Sequence, residues 1–525
     1  MGTESQMKLF KLKYLLILLI LFNILLASRW ILNGNLFFHT DIARDFLLME
    51  DIIDRGHLTL IGPRSGAIPG LFHGPLWLYL NLPAFIIGGG NPVFVAWFWV
   101  VLYILSIFTI YFVGKKMFGE KEGMLGALLL SSVTILQIRS LFNPYGAMLL
   151  SPLFFYFFIN YLSSQKLKTL TLSLLILGLI IQFQMAFGVP ILILTIFYLS
   201  FFLLRKRKVF HLVSLFILLI PLSSFLLFDL RNHFIQFNSV KNFLWGSESF
   251  GKLNLSFFQL VTIRMKESVI DGLGIITQNN FYITNFVLIL FILGIYKSYR
   301  KKNLVGSPSI YTFGILSYSG FWFFTIFFKG PVWNYYYLPF IPILILVFVS
   351  LRKKVNPIIF YAIFILVYFV NLSVVLKDSL SYIKDPLKQD VSTWKFNKLV
   401  AEKIFAGEES EFGYFIFTPD LYGYSPRYAL DFYQKKNKKV YPYQKRKVTY
   451  LVIAPPPIYG RDPSSIWYQK NTNSKLWKIN DIKITKNPIF KVSFENGFIV
   501  EKYDLSEKET QVAPNPYLIK DIFFR

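Results

Sequence analysis

The acidic residues in the hydrophobic part of this chain are few and gathered. Residues 1–376 hold 12 Asp and Glu, and five of them lie between Asp41 and Asp54: Asp41, Asp45, Glu50, Asp51 and Asp54. Such a cluster beside a membrane helix is costly unless it is solvated, paired or used. In His39-Thr40-Asp41-Ile42-Ala43-Arg44-Asp45, a helix starting near Thr40 sets Asp41 and Asp45 four apart on one face with Arg44 beside them. A partly desolvated carboxylate at that place has a raised pKa and serves as a general base toward a hydroxyl. A helix cap is the alternative for Asp41, because Thr and Asp both favour helix starts.

The complementary half of the chemistry is cationic. Arg139, Arg231 and Lys329 each fall at the outer end of a predicted helix, against the positive-inside trend. Cations at that depth suit a lipid phosphate, and snorkelling to the interface is the alternative for each taken singly. Of the five histidines, His39, His57, His73 and His233 map to the same side as Asp41, and His211 does not. Any two of them with Asp41 or Asp45 would make a divalent-metal site, but no spacing such as H-E-x-x-H supports one, so no metal ligand is assigned. Gly88-Gly89-Gly90 reads as a turn rather than a phosphate cradle, and no serine-nucleophile motif is present.

The elements that must position these residues follow from composition. The chain has 525 residues, 54% apolar and 19% aromatic, with 16% charged residues and a mean hydropathy of +0.49. These values exclude an ordinary soluble enzyme. Runs long enough to cross a hydrocarbon core of about 30 Å predict eleven helices, at 14–31, 92–113, 123–141, 145–162, 168–188, 189–204, 209–228, 282–296, 309–328, 333–351 and 357–376. The expected fold is an all-α polytopic membrane protein with a small C-terminal α/β domain.

Every second junction is basic, which places the N-terminus inside, the tail outside, and two long loops, 32–91 and 229–281, on the outer face. Within the first loop, His73 to Asn91 contains Pro83 and reads as an interfacial helix rather than a span. Of the formal charge of +26, the membrane part carries +18 (30 Lys and Arg, 12 Asp and Glu), and no nucleic-acid motif accompanies it, so nucleic acid is not expected as a partner. There are no cysteines, which excludes disulfides and thiolate metal sites.

The domain boundary is expected at 376/377. Residues 377–525 show strand-like runs at Tyr414–Thr418, Val448–Ala454 and Phe498–Tyr503, alternating with helical patterns near 391–406 and 425–435. The Lys435–Lys447 charge run reads as a solvated face and Ala454-Pro455-Pro456-Pro457 as a strand exit.

A long outer loop with an Asp just after the first helix, an interfacial helix, a polytopic core and an outer soluble tail together resemble the GT-C superfamily of lipid-phosphosugar-dependent glycosyltransferases. The chain is most similar to the bacterial protein O-mannosyltransferase and aminoarabinose-transferase group. Thr40-Asp41-Ile42-Ala43-Arg44-Asp45 resembles that family's Asp-Glu-x-Arg-Tyr segment, with Ile42 and Asp45 in place of Glu and Tyr. His73-Gly74-Pro75-Leu76-Trp77 resembles its Lys-Pro-Pro-Leu segment, and Arg139 to Pro144 its helix-three end, where Asn143 replaces a second Asp. Lys329 with Tyr336 to Pro342 resembles the segment beside the lipid phosphate, and Leu227 to His233 the start of the second large loop.

The resemblance implies transfer of a sugar from a polyprenyl-phosphate donor to an acceptor hydroxyl, with inversion, on the outer side of the cytoplasmic membrane. It casts Asp41 and Asp45 as catalytic carboxylates. Arg139, Arg231, Lys329, Tyr336 and His73 become donor-phosphate ligands, and Arg44, Asn143, Asp229 and His233 substrate contacts. A transporter or flippase for a lipid-linked saccharide, or a glycan polymerase or ligase, is the alternative.

Overall fold

The computed structural model describes residues 3–65, 68–245, 255–300, 310–328, 330–382, 384–406, 411–418, 422–437, 440–455 and 474–518. Helices dominate the first 380 residues: α1 (Thr3–Leu32), α2 (Thr40–Arg55), α3 (Leu76–Ile87), α4 (Pro92–Phe118), α5 (Glu120–Val133), α6 (Pro144–Ser164), α7 (Leu167–Phe183) and α8 (Met185–Lys206). They continue as α9 (Leu219–Arg231), α10 (Ile235–Trp245), α11 (Phe257–Glu267), α12 (Phe281–Arg300), α13 (Ile310–Phe327), α14 (Ile341–Ser350) and α15 (Pro357–Leu380).

Seven helices among the described residues are long and apolar enough to cross a membrane: Lys13–Leu32, α4, α6, α8, Val209–Arg231, Asn334–Lys353 and α15. Phe257–Thr277 and Phe281–Lys297, bent by 96°, would make an eighth if taken as one span. The count differs from the expected eleven because polar residues interrupt some apolar runs. α5 stops at Val133, where the Thr134 hydroxyl donates to the Leu130 carbonyl at 2.7 Å, and the chain tightens into a 3-10 turn over Ile135–Ser140. The break expected at 188/189 falls at Gln184, which is extended (φ −148°) and leaves α7 only 17 residues long. α3, at 12 residues, is about 18 Å long, shorter than a hydrocarbon core of about 30 Å.

Contacts divide the chain into two units, and the division differs from a simple cut at 376. The first comprises Met1–Arg29, Leu58–Asn81 and Trp97–Leu380; the second comprises Trp30–His57, Leu82–Ala96 and Ser381–Arg525. Inside the first unit, α1, α5 and α15 are joined by buried polar contacts. Asn23 donates to the Ser131 hydroxyl at 2.8 Å and accepts from the Tyr368 hydroxyl at 3.3 Å. In an apolar surrounding such bonds fix which helix faces meet, since the alternative leaves the amide unsatisfied.

The second unit holds a five-stranded sheet: β1 (Phe412–Phe417), β2 (Val440–Pro442), β3 (Val448–Ile453), β4 (Phe490–Ser493) and β5 (Ile499–Asp504), in the order β2-β1-β3-β5-β4. β2, β1 and β3 run parallel, while β5 pairs antiparallel with β3 and with β4. β1 and β3 are buried almost throughout, as central strands covered on both faces must be. α16 (Trp394–Ala406) and α17 (Tyr424–Asn437) pack on each other beside the sheet.

The acidic segment of the first loop is tied into this unit by aromatic packing: Phe38 meets Phe46, Trp394 and Tyr428 at ring-centroid distances of 5.2–5.5 Å, and Phe46 meets Phe85 at 5.6 Å. The Lys435–Lys447 run is not simply a solvated face. Lys445 is buried and donates to the carbonyls of Lys483 and Glu509, and Arg446 stacks 3.7 Å from the Tyr441 ring centre. β3 ends at Ile453 and Ala454 follows it; Pro456 and Pro457 lie outside the described residues.

Candidate active site

α2 begins at Thr40 with His39 as its N-cap, the imidazole Nδ1 accepting from the Asp41 backbone N–H at 3.3 Å. Burial lowers the His39 pKa, so the ring caps as a neutral acceptor. Asp41 is thus not the cap; it sits in the first turn, where a carboxylate complements the helix dipole. Its Oδ1 accepts from Arg44 Nη1 at 2.7 Å. Arg44 also donates from Nε and Nη2 to Asp45 Oδ1, at 3.1 and 3.0 Å.

The two carboxylates share one guanidinium and differ in access to solvent. The Asp41 side chain is 39% exposed and that of Asp45 only 3%. Desolvation raises the Asp45 pKa to about 6 against the opposing pull of Arg44, and its Oδ2 accepts no hydrogen bond among the described residues. Asp41 is therefore open to solvent, while Asp45 holds Arg44 from the buried side. Among the described residues no three His, Asp or Glu side chains gather as a metal-ligand set.

The remaining candidates lie in the first unit. Arg139, in the 3-10 turn, forms a two-pronged ion pair with Asp378 at 2.7 and 3.1 Å. Sequence reading passed over Asp378; its only local signal is an acidic residue just past the apolar run of α15. Asn143 is buried, its amide donating to the Phe183 carbonyl at 2.8 Å and to Gln184 Oε1 at 3.4 Å, so it fastens the start of α6 to the α7–α8 break. The neighbouring Phe142 packs edge-on to Tyr335 at 5.2 Å, and Tyr335 to the buried Tyr336 at 5.1 Å. The turn after Arg139 and the Tyr336 segment are thereby brought together.

At the α9–α10 corner, both Asp229 oxygens accept backbone N–H groups of α10, from Gln236 at 2.9 Å and Phe237 at 3.1 Å. Gln236 Oε1 in turn accepts from the Phe72 backbone N–H at 3.1 Å, so Asp229 supports the segment leading into His73. His73 is held by its backbone, its N–H donating to the Pro63 carbonyl at 2.9 Å and its carbonyl accepting from Gly62 at 2.8 Å. His233, at φ +53°, occupies the turn between the two helices and is exposed. Arg231 is exposed and makes no ion pair among the described residues.

Lys329 lies outside the described residues, but its flanks are held by a residue that sequence reading missed. Arg264, wholly buried on α11, donates to the carbonyls of Thr325 (3.1 Å), Phe328 (3.0 Å) and Gly330 (2.5 Å) and pairs with Glu267 at 2.7 Å. Of these, the Phe328 and Gly330 carbonyls lie beyond the end of α13 and that of Thr325 in its last turn, where a guanidinium satisfies them well. The i,i+3 spacing to Glu267 was the available sequence signal.

Residues 73–228 match the family model of dolichyl-phosphate-mannose-protein mannosyltransferase. The membrane-length apolar helices beside a small sheet unit make this a polytopic membrane protein with an ArnT-like fold. Among solved structures, the chain is similar to ArnT from Cupriavidus metallidurans. For the apo state the TM-score is 0.56 at 10% identity, covering 95% of this chain and 98% of that one. For the state bound to undecaprenyl phosphate the TM-score is 0.58 at 10% identity, covering 94% and 98%. No curated protein matches it in sequence.

Proposed function

We propose that the chain is an integral membrane glycosyltransferase that moves a sugar from a polyprenyl-phosphate donor to an acceptor hydroxyl on a protein, lipid or glycan. The observation that carries this reading is the likeness in fold, over almost the whole of both chains, to a structure that binds undecaprenyl phosphate. The α2 geometry supplies the chemistry: Asp41 accepts the hydroxyl proton as the acceptor oxygen bonds to the anomeric carbon, while the bond from that carbon to the phosphate oxygen breaks. A single in-line displacement inverts the anomeric centre. Arg231 and Lys329 are the preferred cations for the departing phosphate, because Arg139 is already neutralised by Asp378.

The basic junctions orient the N-terminus toward the cytoplasm and the sheet unit to the extracytoplasmic side of the cell membrane. The test is incubation of the purified protein, reconstituted in liposomes, with a labelled polyprenyl-phosphate sugar. Label leaves the lipid with the parent protein, and Asp41→Asn slows the release by about 100- to 10,000-fold. Label that crosses the bilayer still attached to its carrier would favour the transporter reading.

A further inference from the structure

The first unit contains a groove of about 790 Å³ that the proposed reaction does not use, lined by α1, α5 and α15. Its wall is apolar, with Leu16, Phe22, Leu125, Phe364 and Phe369 among the lining residues. Along α1 it reaches from Lys13 to Phe22, about 14 Å at 1.5 Å per residue, which is close to half of a hydrocarbon core of about 30 Å. Just past Phe22 comes the buried Asn23, bonded to Ser131 and Tyr368. The groove is therefore one leaflet deep.

The opposite end is charged. Lys13, Lys121 and Lys353 line it together with Glu120 and Glu122. The carboxylates are outnumbered: Glu120 pairs with Lys115 at 2.5 Å and with Lys13 at 3.7 Å, and Glu122 with Arg352 at 2.6 Å and with Lys353 at 3.8 Å. Five cations, Lys13, Lys115, Lys121, Arg352 and Lys353, thus face two carboxylates, and the excess positive charge forms a cationic rim over an apolar slot. Basic pockets between membrane helices hold anionic head groups by charge attraction.

We propose that this groove is a binding site for an anionic diacyl phospholipid, its acyl chains in the slot and its phosphate at Lys13, Lys121 and Lys353. The depth of a single leaflet matches acyl chains rather than a much longer polyprenyl tail.

The full chain is reconstituted in nanodiscs holding equal amounts of phosphatidylglycerol and phosphatidylcholine of matched chain length. The lipid retained after detergent extraction is then read by native mass spectrometry. Phosphatidylglycerol is retained in preference, and the double variant Lys13→Gln/Lys121→Gln, at exposed positions, weakens its retention at least roughly tenfold with the thermal midpoint of the lipid-free protein unchanged. Leu19→Trp, which fills the slot, removes bound lipid of either kind. Equal retention of the two lipids, an unaltered preference in the double variant, or displacement of phosphatidylglycerol by an equal amount of undecaprenyl phosphate would each overturn the assignment.

Discussion

At the residue scale, the informative contrast is between two carboxylates that share Arg44. Asp45 has a folded-state pKa of about 6 against an ordinary value of 3.8, because burial outweighs the guanidinium. Between these values the native state keeps a proton that the unfolded chain has already released, so raising the pH across this window costs stability, by up to about 1.4 kcal/mol per unit. The contribution is whole below pH 3.8 and lost above about 6. Thermal midpoints of the parent should fall over that interval, while those of Asp45→Asn should stay nearly level there; parallel curves would refute the assignment. The pairing of Arg139 with Asp378 carries the same lesson. A cation named from its place in the sequence has its charge answered by a residue 239 positions away.

At the element scale, the His73-Gly74-Pro75 segment shows why a motif residue can be architectural. The Gly74 N–H donates to the Gln182 carbonyl at 3.0 Å, and an added Cβ would collide with the Gln182 side chain and come within 2.9 Å of its Cα. Gln182 cannot easily retreat, since its amide is committed to the Pro221 carbonyl at 2.5 Å and the Ser224 hydroxyl at 2.9 Å. Gly74→Ala should therefore destabilise the protein by roughly 1–3 kcal/mol, read as a lower thermal midpoint in detergent. An unchanged midpoint would mean that α7 shifts freely. Helix existence was legible from apolar length, whereas the breaks at Thr134 and Gln184 were not, because both lie inside apolar runs and are decided by polar contacts of the folded chain.

At the scale of the molecule, the acidic helix α2 belongs with the sheet rather than with the helical bundle whose sequence surrounds it. The absence of cysteine makes orientation directly measurable with single introduced thiols. On intact cells, a membrane-impermeant maleimide should label Glu495→Cys, whose side chain is 72% exposed, and leave Lys206→Cys unlabelled until the cells are permeabilised. The reverse pattern would invert the proposed topology. Apolar run lengths, basic junctions and the 40–45 spacing determined the membrane class, the small α/β tail and the helix bearing Asp41, because each depends on residues close in the chain. Only the tertiary structure decided that Asp45 is the desolvated acid, that Asp378 holds Arg139 and that residues 30–57 join the C-terminal unit. The burial of Asp45 and the pairing of Arg139 with Asp378 are set by side chains far apart in the chain, and no local pattern encodes which of them will meet.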